Sequence, residues 1–72
     1  MIVISMPLQR EFVKELLNDK TVEGITYRFV KQEGMKLFFE VTPNSDAAIK
    51  VTKNTIKASK YGSSLNFMVD YV

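Results

Sequence analysis

The chain contains no cysteine, no histidine and no tryptophan. Without cysteine there can be no disulfide, no thiolate metal site and no sulfur nucleophile. Without histidine there is no imidazole ligand and no imidazole acid–base relay. Glycine and proline are scarce, three and two residues respectively, so no flexible linker interrupts the chain. No apolar run approaches the ~20 residues of a membrane-spanning helix. The apolar start, residues 1–6, is too short for a signal-peptide core and has no basic residues before it, so a cytoplasmic location is expected. Neither sign of charge dominates: 10 basic against 8 acidic residues give +2. That excess says little about partners.

What is present is an ordinary globular composition, 46% apolar and 25% charged, over 72 residues. One domain, residues 1–72, is expected. A chain of this size buries only about 60% of the surface its unfolded form exposes. With disulfides and thiolate or imidazole zinc sites excluded, a second subunit is the expected supplement to a thin core.

Ile2 to Ser5 is β-branched, short and closed by Pro7, and reads as a strand. Pro7 suits the first turn of a helix. Leu8, Phe12, Val13, Leu16 and Leu17 then recur on one half of the helical wheel, opposite Arg10, Glu11, Lys14 and Glu15, until Asn18-Asp19. Residues 24–31 and 35–42 alternate and read as two strands. A three-residue loop with Gly34 left-handed would set Ile25 by Val41, Tyr27 by Phe39, Phe29 by Leu37 and Arg28 by Phe38, giving one clean apolar face. Asn44 or Ser45 is suited to cap a second helix that starts near Asp46 and runs to about Tyr61, with Gly62 as a left-handed stop. Its apolar arc comprises Ala48, Val51, Thr55, Ile56 and Ala58. Residues 65–72 alternate again and read as a last strand.

The order β-α-β-β-α-β predicts an α+β domain, a ferredoxin-like sandwich. Its four-stranded antiparallel sheet, in order 4-1-3-2, would carry both helices on one face. The same elements with another strand order, as in the phosphocarrier-type open-faced sandwich, form the alternative. Phe12, Leu16, Phe29, Leu37, Phe39, Val51, Phe67 and Val69 are the expected core.

Two surfaces stand out as candidate binding sites. Lys50, Lys53, Lys57 and Lys60 fall within about 80° of the helical wheel, forming a basic stripe that could track a phosphate backbone or hold an acidic protein. A solvated outer face is the plainer reading. The helix-free sheet face would show Arg28, Val30, Lys36, Phe38 and Met68, where an aromatic beside an arginine could stack a base. A homodimer contact, or sheet exposed to solvent, is the more usual use of such a face.

Reaction chemistry finds little support. Ser5 to Arg10 lacks the glycines of a phosphate-cradling loop, and a single helical arginine is weak evidence of an anion site. Glu11 and Glu15 sit beside Arg10 and Lys14 in ordinary surface patterning. The residues therefore predict a non-catalytic binding or assembly module, homodimeric, with no cofactor, metal or membrane. A nucleic-acid-binding module is the alternative.

Overall fold

The computed structural model describes residues 1–72, apart from the side chain of Ser63. It is an α+β fold with two helices and a five-stranded antiparallel sheet. The elements are β1 (Ile2–Ser5), α1 (Arg10–Leu17), β2 (Thr21–Val22), β3 (Ile25–Glu33), β4 (Lys36–Thr42), α2 (Asp46–Lys57) and β5 (Met68–Tyr71). A 3₁₀ turn, Gly62–Ser64, precedes β5. The sheet order is β2-β3-β4-β1-β5.

The expected strand count of four is thus corrected to five. The addition is β2, which turns into β3 through Glu23 and Gly24, both at positive φ (48° and 83°). Two loop residues at positive φ match the strand twist of a tight hairpin. A glutamate in that conformation is what the sequence did not advertise.

The central hairpin also departs from expectation. Gly34 is left-handed, φ 58°, but the loop is two residues, Gly34-Met35, because Glu33 pairs with Lys36. Phe29 lies opposite Phe39, Tyr27 opposite Val41 and Arg28 opposite Glu40. A two-residue loop alone would have mixed the faces. A bulge between Phe29 and Lys31 inserts Val30 and shifts the register by one, so Lys31 meets Phe38 and both faces stay clean.

Both helices contribute to a single core built on one sheet face. Ile2, Ile4, Tyr27, Leu37, Phe39 and Val69 meet Val13 and Leu17 of α1 and Ala48 and Ile56 of α2. Of the expected core, Leu37, Phe39 and Val69 are buried. Phe12, Leu16, Phe29, Val51 and Phe67 are only partly buried against it. The buried line of α2 is Ala48, Thr52 and Ile56, four residues apart, with Ala58 exposed. Thr52 is tolerated there because its Oγ1 donates to the Ala48 carbonyl (2.6 Å) and so accepts from the Tyr27 hydroxyl (2.7 Å).

The helix ends are shorter than the periodicity suggests. α1 begins at Arg10, not Pro7, and Leu8 is exposed. The Arg10 guanidinium donates to the carbonyls of Pro7 (2.7 Å) and Met6 (3.2 Å), holding the link from β1 into the helix. At its other end Asn18 closes α1 and its Oδ1 accepts the Phe29 N–H at 3.0 Å, tying the helix to β3. α2 ends at Lys57, and Gly62 is not left-handed. Its role is a close approach: a Cβ there would lie 2.0 Å from the Lys57 carbonyl oxygen. Neither helix is long and apolar enough to cross a membrane.

Candidate functional site

β5 begins three residues later than the alternation of 65–72 implies, and the cause lies in the ladder. Ser5 pairs with Met68, Val3 with Asp70 and Ile2 with Tyr71. Continued by two residues, this register would set Asn66 opposite Pro7, which has no N–H to contribute. The ladder stops at Ser5. Leu65 and Phe67 still pack against the core, so the segment stays extended without a strand beside it.

The space left where the ladder stops is a pocket of about 550 Å³. Its apolar lining comes from Met6, Pro7, Met35, Leu65, Phe67 and Met68, with Ser5, Asn66, Lys53 and Lys57 supplying the polar groups. Sequence reasoning identified Lys53, Lys57 and Met68 but missed the rest. The signal that could have found them is the position of Pro7 relative to the last strand.

All four lysines of the α2 stripe, Lys50, Lys53, Lys57 and Lys60, are exposed. Among the described residues none of the four has a carboxylate within 4 Å; the ion pairs are Lys14–Glu11 and Lys31–Glu33. Lys60 Nζ lies 5.6 Å from the Tyr61 ring centre, within cation–π range. Lys57 also sits in the last turn of α2, where a cation complements the negative helix end.

On the open sheet face the structure brings Phe38, Lys36 and Met68 together. Phe38 is paired with Val3 on β1, while Lys36 and Met68 flank Ser5 from either side. Arg28 is not across from Phe38; it faces Glu40, one row away on the same sheet surface. Lys31 takes the expected place instead, its Nζ 5.0 Å from the Phe38 ring centre. A half-buried ring already covered by its own lysine is a poor stacking platform. Val30 leaves the ladder as the bulge residue and is 44% exposed.

The third feature is the outer edge of β5. The Val72 N–H donates to the Met1 carbonyl at 3.2 Å, which fixes the strand's phase. Met68 and Asp70 therefore bond β1, and the backbone groups of Val69 and Tyr71 point away from the sheet. Met68, Tyr71 and Val72 are exposed along this margin. The Tyr71 hydroxyl donates to Asp46 Oδ1 at 2.8 Å, linking the strand to the start of α2. Partial desolvation together with that bond to the carboxylate raises the Tyr71 phenol above its ordinary value.

Among the described residues no group of three or more His, Cys, Asp or Glu could hold a metal ion. Compared with known families, with curated proteins and with solved structures, the chain matches none.

Proposed function

We propose that this chain is a small non-catalytic binding or assembly module that pairs with a second copy of itself along β5. The observation that carries the reading is the unpaired outer edge of that strand. Residues 65–72 hold no lysine, arginine or proline, three of the residues that discourage edge pairing, and Asp70 is their one charge. Antiparallel addition across a two-fold axis would join two sheets through the Val69 and Tyr71 backbones and cover Met68, Tyr71 and Val72. A stable contact needs roughly 500 Å² from each copy, about a ninth of the chain's 4482 Å² surface. The lining of the adjoining pocket, aliphatic, thioether and aromatic with two exposed ammonium groups, suits binding better than bond making.

The same reading takes the architecture as a ferredoxin-like sandwich extended by the short β2 hairpin. The order β3-β4-β1-β5 with antiparallel neighbours supports it. Sedimentation equilibrium across micromolar to millimolar concentration tests the association. The expected result is a dimer that Met68→Lys combined with Val72→Lys converts to monomer, both positions being exposed. A strictly monomeric wild type with concentration-independent thermal stability removes the reading.

A nucleic-acid module, or one that holds an acidic protein, is the second reading, favoured by the unpaired lysine stripe. A salt-sensitive shift of a labelled oligonucleotide, abolished when Lys50, Lys53, Lys57 and Lys60 are all changed to Glu, would put nucleic acid in first place.

A further inference from the structure

We propose that the pocket at the Pro7 end of the sheet is a binding site for an amphipathic organic anion, a carboxylate carrying a medium-length alkyl chain. The site is formed within one chain and does not require self-association.

Three observations converge on this class. The pocket's volume, about 550 Å³, falls in the range of small-molecule sites, ~300–1,000 Å³. Its apolar lining includes three methionines, Met6, Met35 and Met68. Their flexible thioethers adapt to a chain of no fixed shape. Met35 and Met68 are exposed, at 57% and 65%, while Met6 is buried at 1%, so the pocket has a buried floor and an exposed rim. Finally, Lys53 and Lys57 stand four residues apart on the same face of α2. Both line the pocket, and neither has a carboxylate of the chain within 4 Å among the described residues. Helix-end compensation accounts for Lys57 but not for two unpaired cations beside an apolar hollow. An alkyl chain would lie along Pro7, Leu65 and Phe67, and its carboxylate would reach the two ammonium groups.

A nucleobase fits less well. Its polar edges would meet Asn66 and Ser5 but otherwise methylene and thioether groups, leaving buried donors and acceptors unmatched. A simple inorganic anion would use the lysines and waste the hollow.

The test is an amide-resolved NMR titration of the full chain with decanoate below its micelle concentration. Decyltrimethylammonium, with the same chain and opposite charge, and acetate, with the headgroup alone, serve as controls. Saturable shifts are expected at Met6, Lys53, Lys57, Leu65, Phe67 and Met68 with decanoate. The cationic surfactant should bind roughly tenfold more weakly or worse, and acetate should not saturate. Lys53→Gln with Lys57→Gln should weaken decanoate by roughly tenfold. Met35→Asp, at an exposed loop position, should abolish binding with the remaining spectrum intact. Absence of saturable shifts overturns the proposal, as does equal binding of the two surfactants or a shift pattern centred on Phe38 and Lys36. Unchanged affinity in the lysine variant does so too. Wild-type shifts at Met6, Lys53, Lys57, Leu65 and Phe67 on protein dilution alone, without decanoate, would assign the hollow to a second copy of the chain and equally overturn it, whereas dilution shifts confined to Met68–Val72 belong to the β5 contact.

Discussion

Replacing Gly62 by alanine should damage this protein more than any other single methyl added to a glycine. An ideal Cβ at position 62 lies 2.0 Å from the Lys57 carbonyl oxygen, 2.4 Å from its carbon and 2.6 Å from the Ile56 oxygen. All three atoms are backbone in the last turn of α2, so no side chain can swing aside. Relief requires moving either that turn or the 3₁₀ turn. The latter is held by the Gly62 N–H to the Ser59 carbonyl (3.0 Å) and by Tyr61, whose ring packs edge-on against Phe12 at 4.9 Å. Overpacking a well-filled site costs about 1–3 kcal/mol, and contact with two carbonyl groups puts Gly62→Ala at the upper end, roughly 3 kcal/mol. For a domain of this length that is a fall in Tm on the order of 12 °C or more. Gly34 provides the contrast. Nothing lies within 4 Å of its Cβ position, so Gly34→Ala costs only the positive-φ penalty, about 1 kcal/mol. Asparagine separates the two causes, because it tolerates the left-handed region but carries a Cβ. Gly62→Asn should be as harmful as alanine, whereas Gly34→Asn should be nearly silent. Urea and thermal unfolding followed by circular dichroism measure all four. A Gly62→Ala protein within about 1 kcal/mol of wild type, or rescue by asparagine, refutes the close-approach argument.

The buried hydroxyl pair yields a double-mutant cycle. Tyr27→Phe leaves Thr52 bonded to Ala48 and should cost about 0.5–1.5 kcal/mol, whereas Thr52→Val strands the buried phenol and should cost about 1–3 kcal/mol. The double variant should cost less than the sum in urea unfolding; strict additivity would dismiss the coupling. Burial also pushes the Tyr27 phenol above its ordinary value, with the Glu23 charge adding to the effect. Its stabilising contribution is therefore complete below about pH 10, the unfolded phenol's pKa, and is lost as pH rises from there toward the folded value. Tyr27→Phe should flatten the alkaline fall of the urea midpoint, and identical slopes would contradict this. Asn18→Ala leaves the Phe29 N–H without its acceptor and should cost about 1 kcal/mol, measured the same way; no loss would mean that water replaces the amide.

The faces of the sheet were readable because burial imposes a period of two on 25–29, 37–41 and 67–70, whatever the details of pairing. β1 was readable because Pro7 marks its end. The register of the β3–β4 hairpin was not, since parity assumes an unbroken ladder and the Val30 bulge supplies the missing step in a way no residue type announces. The β2 turn escaped notice because Glu23 adopts a conformation usually left to glycine or asparagine. The pocket was hidden for a related reason. Leu65 and Phe67 alternate like a strand because they face the core, yet the ladder that would make them one is interrupted on the neighbouring strand. Alternation reports burial; pairing depends on the partner.

The reading of this chain as a self-pairing module rests on the outward backbone of β5, and hydrogen exchange at Val69 and Tyr71 addresses it most directly. Their amides point away from β1, whereas the Asp70 amide is bonded to it and serves as the internal control. The account predicts protection at Val69 and Tyr71 that rises with protein concentration while Asp70 stays protected throughout. Rapid exchange of Val69 and Tyr71 at every concentration, beside a protected Asp70, would contradict it.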